Sequence, residues 1–138
     1  MERGRSGTDF GPGFYTTADR TQAVQWAEDL ADRTGEAAVV AWAELDRDQL
    51  ASLECLYFVR GHESAVDFWS FVHHCRRGAR THRRAGAAKA MYDVVVGPVS
   101  RNYRRRAAYE NMDQISFHTP AAQAILNRVR WSSYDPTR

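Results

Sequence analysis

Near the start of the chain a glycine–proline–glycine bend, Gly11-Pro12-Gly13, separates Asp9-Phe10 from the β-prone run Phe14-Tyr15-Thr16-Thr17. Proline fixes its own φ, and the glycines beside it reach conformations closed to other residues. The chain must therefore turn here, and its backbone can lie close against a ligand. Tyr15 follows with an aromatic face and a hydroxyl. Thr17 is a good N-cap for a helix over Asp19 to Arg33, which carries Ala23, Trp26, Ala27 and Leu30 on one face and meets a stop at Gly35. Trp26 comes eleven positions after Tyr15, and the path from strand to helix can bring the two rings to opposite walls of one slot. A glycine-rich turn capping an ordinary amphipathic helix with a core tryptophan accounts for the same residues.

The remaining elements alternate. Ala37 to Leu45 is apolar enough for a central strand, and Leu53 to Val59 reads as a second strand able to pair with it as a hairpin. Glu63 to Arg77 is the most regular helix, with Ala65, Phe68, Trp69, Val72 and Cys75 on one stripe and Gly78 at its end. Arg76 to Lys89 is basic and glycine-spaced, a loop. Met91 to Val96 is a buried strand ended by Gly97-Pro98, and Arg101 to Asn111 is a polar connector with a helical turn. Gln114 to His118 alternates as a half-buried strand, with Ile115 and Phe117 inward and Gln114 and Ser116 on the other face. Thr119-Pro120 starts a helix to about Val129, and Trp131 to Tyr134 adds a last short strand. Several connections are too short for parallel crossovers. The fold expected is a single α+β domain over 1–138 with a split, largely antiparallel sheet.

Four segments in this order resemble known families. Gly11, Gly13, Tyr15 and Trp26 match the nicotinamide pocket of ADP-ribosyltransferases of the diphtheria-toxin and poly(ADP-ribose) polymerase branch, with Trp26 where tyrosine is usual. The run Asp9-Phe10-Gly11-Pro12-Gly13-Phe14-Tyr15, the acidic-x-Trp helix Asp67-Phe68-Trp69, the strand Tyr92 to Val99 and the Gln114-x-x-Phe117 strand are similar to the bacterial domain of unknown function 3990 family, whose members are placed beside these transferases as candidate toxins of toxin–antitoxin pairs. The resemblance implies two small sheets around an NAD cleft, with NAD as substrate. It implies that Gly11, Gly13, Tyr15, Thr17 and Trp26 hold the dinucleotide, that Tyr15 and Gln114 occupy catalytic positions, and that ADP-ribose passes to a protein or nucleic-acid acceptor.

Two departures from that pattern matter. The catalytic glutamate of the transferases aligns with Gln114, which can accept a hydrogen bond from a ribose hydroxyl but brings no charge to the cation that develops as the nicotinamide bond breaks. A neutral in place of a charge-assisted hydrogen bond costs about 1–2 kcal/mol, roughly ten- to thirtyfold in rate, so a glutamate at 114 is expected to restore turnover. A His-Gly-Thr or His-Gly-Ser strand usually precedes the glycine turn; eight residues precede Asp9 here and none is histidine. A non-catalytic nucleotide- or partner-binding module, or a basic RNA-binding protein, is the rival reading.

Charge and composition narrow the rest. Hydrophobic residues make up 43% of the 138 and no apolar run approaches the ~20 residues that span a bilayer, so no membrane partner is expected. The start lacks the apolar core of a signal peptide, which points to the cytoplasm. Cys55 and Cys75 read as buried free thiols. His73-His74-Cys75 cannot share a metal, because adjacent helix residues point about 100° apart. His62, His82 and His118 have no triad spacing with either cysteine. Net charge is only +2, yet the basic residues cluster: Arg76, Arg77, Arg80, Arg83 and Arg84, then Arg101, Arg104, Arg105 and Arg106. Tyr103 and Tyr109 interleave with the second cluster. These loops suit NAD phosphates, an RNA acceptor, or an acidic antitoxin segment, and Arg83 and Arg84 are expected to contribute little to stability.

Overall fold

The computed structural model describes residues 8–60, 65–83 and 87–138. In chain order the elements are β1 (Phe14–Thr16), α1 (Arg20–Thr34), β2 (Val40–Ala43), α2 (Arg47–Leu50), β3 (Cys55–Tyr57), α3 (Ala65–Arg76), β4 (Val94–Asn102), a 3-10 turn (Tyr103–Arg105), β5 (Ala107–Phe117), α4 (Pro120–Arg128) and β6 (Trp131–Tyr134). They form an α+β structure with a four-stranded sheet in the order β1-β5-β4-β3 and a two-stranded sheet of β2 and β6. All pairings are antiparallel except β3 with β4.

Both faces of the larger sheet are covered, because its central strand β4 alternates residues between two apolar clusters. Val95 points to one face and packs with Phe10, Phe68, Trp69 and Val72, so α3 and the segment before the glycine turn close that side. Val94 points to the other, with Phe117, Ala122 and Leu126, where α4 docks. The stripe expected of α3 is buried at Phe68, Trp69, Val72 and Cys75, while Ala65 at its start is exposed. Residues 63 and 64, where that helix was expected to begin, lie outside the described residues. The Thr119 side chain accepts from the Ala122 amide with Pro120 in the first turn, as the sequence reads.

Several boundaries and pairings differ from the sequence reading. The N-cap of α1 is Asp19, whose carboxylate accepts from the Gln22 amide at 2.9 Å; Thr17 instead accepts from the Asp19 amide. Aspartate suits this position as well as threonine does, and its side chain has the better geometry here. The apolar run from Ala37 is not a central strand: β2 lies in the small sheet beside β6, with Val39 and Trp42 exposed. It makes no hairpin with β3, whose partner is β4 in parallel. Nor do Gly97-Pro98 end the strand. β4 runs on to Asn102, which is possible because β3 stops opposite Val96 and a proline beyond it removes no ladder hydrogen bond on that side. The polar connector is consequently the tip of a long β4–β5 hairpin, turned by Arg106 at φ 53.

Candidate functional site

The glycine turn is pinned at nearly every backbone group. Gly11 sits at φ 82, a conformation other residues resist, whereas Gly13 is required for space: a Cβ there would lie 2.7 Å from His118 Nδ1 and 2.8 Å from the Phe117 carbonyl. The Tyr15 hydroxyl donates to the Gly11 carbonyl at 2.6 Å and accepts from the Phe10 amide at 3.0 Å. Thr8 Oγ1 donates to the same Gly11 carbonyl. His82 Nε2 donates to the Phe10 carbonyl at 2.7 Å while its Nδ1 accepts from the Tyr92 amide. His118 Nδ1 donates to the Pro12 carbonyl at 2.6 Å, and its Nε2 meets Ser116 Oγ at 2.7 Å.

The Tyr92 amide requires His82 to keep a bare Nδ1, while Ser116 Oγ, which also reaches the Val95 carbonyl, can donate to or accept from His118 Nε2; burial selects the neutral ring. The two rings meet edge to face with centroids 4.5 Å apart. Burial disfavours a proton on either one, lowering His82 and taking His118 down to about 4 despite the Pro12 carbonyl that favours it. Burial likewise lifts the Tyr15 phenol above its ordinary value and takes Cys75 up to about 12, so neither is a nucleophile near neutrality.

Immediately before the turn lies a feature the sequence did not disclose. Asp9 is 3% exposed and accepts five hydrogen bonds. Arg76 Nε and Nη2 reach Oδ1 at 2.9 and 2.6 Å, with Ser100 Oγ at 2.5 Å. The Ser100 amide and Gln114 Nε2 reach Oδ2, both at 2.8 Å. Gln114 Nε2 also donates to the Pro98 carbonyl at 3.0 Å. Both partners of that amide nitrogen are acceptors, so the amide has one orientation, with Oε1 on the other side. Among the described residues none donates to Gln114 Oε1, on a side chain that is 5% exposed.

The network also explains why glutamine stands at 114. A glutamate would point an oxygen at the Asp9 carboxylate and the Pro98 carbonyl, where only a donor fits. In Gln114→Glu the Asp9 carboxylate beside the new carboxyl disfavours its ionised form, which opposes the expected gain in charge.

The other sequence-derived site residues fall as follows. Tyr15 and Gln114 share the β5 face that α3 covers, since Tyr15 pairs with Ser116 one alternation away. That polar face lines no open cleft, because Asp9, Phe10 and α3 lie over it. The Tyr15 ring packs against Phe10 and His118, at centroid distances of 6.5 and 6.1 Å; Trp26, half-buried on α1, is not among the rings against it. Thr17 caps nothing but the turn into α1. A cavity of about 150 Å³ is lined by Phe58, Phe68, Trp69 and Pro98 among others, and another of about 380 Å³ runs along β5; neither borders Tyr15, Trp26 or Gln114. No cluster of three metal-ligating side chains occurs among the described residues. No described helix is long and apolar enough to cross a membrane.

The first arginine loop is less free than its composition suggests. Arg83 pairs with Glu54 and lies 4.1 Å over the Tyr92 ring, so it fastens the loop to the body. Arg84, like Arg3, Arg5 and His62, lies outside the described residues. Asp9 stood in the motif but its partners, at 76, 100 and 114, are too distant in sequence to be seen together. His82 and His118 were likewise invisible as a pair; no local pattern announces them.

The class so defined is an α+β protein with two mostly antiparallel sheets, built over a histidine-pinned turn and a buried carboxylate–amide network. The chain belongs to the family described as Protein of unknown function (DUF3990), whose profile matches residues 1–108. No curated protein and no solved structure matches the chain.

Proposed function

We propose that this chain is an ADP-ribosyltransferase-like domain that takes NAD as substrate and passes ADP-ribose to a protein or nucleic acid, as a cytoplasmic toxin paired with an antitoxin. The observation that carries the reading is the Gln114 amide, whose nitrogen is fixed by Asp9 and Pro98 and whose oxygen receives no hydrogen bond from a described residue. A ribose hydroxyl of NAD is the donor that position suits. Breaking the ribose–nicotinamide bond sends the electron pair to the leaving nicotinamide and leaves positive charge on the sugar. Gln114 Oε1 faces that charge as a dipole, and the Asp9 carboxylate behind the amide nitrogen polarises it further, within the limit set by Arg76. Tyr15 serves here by holding the Gly11 turn rather than as a stacking plate. Gly11 and Gly13 let the turn pack against His82 and His118, which fixes the loop that leads into Tyr15.

Calorimetric titration with NAD and release of labelled nicotinamide test the proposal. Gln114→Ala is expected to lower turnover at least tenfold with the far-UV spectrum retained. The variant that supplies charge is Asp9→Asn with Gln114→Glu, in which the asparagine amide can donate to the new carboxylate; its turnover should exceed that of Gln114→Glu alone. Absence of NAD binding and turnover in the natural chain and in the double variant refutes the transferase reading and leaves a non-catalytic module.

A further inference from the structure

The two arginine clusters, distant in sequence, become neighbours through Tyr103. The His73 ring meets the Tyr103 ring at 5.3 Å, and the Arg76 guanidinium lies over that ring at 5.3 Å and Arg104 at 5.8 Å. The end of α3 and the β4–β5 hairpin tip thus form one basic surface. Arg77, Arg101, Arg104, Arg105 and Arg106 are exposed, and none of them forms an ion pair with a described carboxylate. Five unpaired guanidinium groups close together repel one another and are stabilised by an anion with many charges.

Beside them lies the cavity of about 380 Å³, lined by Arg101, Ala108, Tyr109, Glu110, Asn111 and Met112. Tyr109 is 40% exposed, so its ring is available for stacking. Its backbone is braced from behind, because Arg60 donates to the Tyr109 and Met112 carbonyls and pairs with Asp113. Asn111 can both donate and accept at a base edge, and Glu110 can accept from an exocyclic amino group but repels phosphate.

From this juxtaposition we infer that the β4–β5 hairpin is a binding surface for single-stranded nucleic acid. The arginines track the phosphates and Tyr109 receives an unstacked base in the cavity. A run of aspartate and glutamate offers charges to the arginines but no planar ring for Tyr109 to stack on. A duplex keeps its bases stacked and withheld from Tyr109. The inference does not depend on NAD chemistry. If the chain is a transferase, Arg76 joins this surface to the Asp9–Gln114 network, and the bound strand is placed as its acceptor.

Fluorescence anisotropy with a labelled oligouridylate of about 12 nucleotides, in the full chain, tests this. Binding is expected to weaken steeply from about 50 to about 200 mM salt. Arg104→Ala with Arg105→Ala should lower affinity at least about tenfold and flatten the log–log salt slope by about 1.4, two phosphate contacts on a single strand. Tyr109→Ala should weaken binding about fivefold or more with the slope unchanged, since stacking releases no counterions. Equal affinity for a duplex of the same length, equal competition by polyglutamate of matched charge, or an unaltered affinity in Tyr109→Ala would each overturn the assignment. The polyglutamate result would turn the surface over to an acidic protein segment.

Discussion

Replacing Asp9 by asparagine changes no heavy-atom position, yet it should be among the costliest single substitutions in this protein. The carboxylate receives three donors at Oδ1 and two at Oδ2. An asparagine amide must turn its NH2 toward one set. Facing Oδ2's partners, it leaves the Ser100 N–H and one of the two Gln114 amide hydrogens without an acceptor, the other being held by the Pro98 carbonyl; facing the others, it opposes the Arg76 guanidinium. A buried donor left unpaired costs about 1–3 kcal/mol, and breaking a buried ion pair about 3–5 kcal/mol. Arg76 is 27% exposed and so recovers some hydration, which favours the lower end, about 3 kcal/mol. With an unfolding entropy of about 0.29 kcal/mol/K for 138 residues, that lowers the melting temperature by roughly 10 °C. Thermal and urea denaturation of Asp9→Asn, Arg76→Ala and the double variant measure it, and the double-variant loss should fall well short of the sum. A loss below 1 kcal/mol in Asp9→Asn, or strict additivity, would refute the account of Asp9 as the organiser of this network.

Other consequences are open to the same kind of measurement. In the unfolded chain a histidine takes up a proton near pH 6.5, whereas in the folded protein His118 does so near 4, so stability should be whole above about pH 6.5 and decline as the pH falls toward 4. The decline should be of the order of 2–3 kcal/mol, read as a falling urea midpoint, and His118→Asn should flatten it. Gly13→Ala should destabilise by about 1–3 kcal/mol, because its Cβ meets the Phe117 backbone and the His118 ring; a cost equal to that of Gly11→Ala, which is conformational rather than steric, would contradict this. Arg83→Ala should lower the melting temperature detectably through its loss of Glu54 and Tyr92, while Arg105→Ala should not.

What could be read from the chain were the features that repeat at short range. The α3 stripe, the Thr119-Pro120 start of α4 and the Trp131–Tyr134 strand all declare themselves within a dozen residues. The inward set Ile115 and Phe117 was legible too, but alternation cannot say whether the opposite face is wet. Gln114 and Ser116 are buried because partners from Asp9, Pro98, Val95 and His118 satisfy them, and those partners arrive from elsewhere in the chain. For the same reason the apolar run around Val40 gave no hint that its partner was β6 rather than β3. Nor did apolarity guarantee cover, since Val39 and Trp42 are exposed. Asp9 looked like one letter of a motif; its weight comes from Arg76 and Ser100, which no spacing rule connects to it.

The pairings themselves set the order in which the molecule can assemble. Phe14 lies opposite Phe117 and Val40 opposite Tyr134, so both sheets are closed by the last third of the chain folding back onto the first. Closing loops of that length comes late, after local helices have formed, and folding dominated by such contacts is slow. On a ribosome the glycine turn is made before the residues that hold it, His118 for Pro12 and Gln114 for Asp9. Until β5 and β6 are made, β1 and β2 have no strand to pair with and are exposed to aggregation or to capture by another polypeptide.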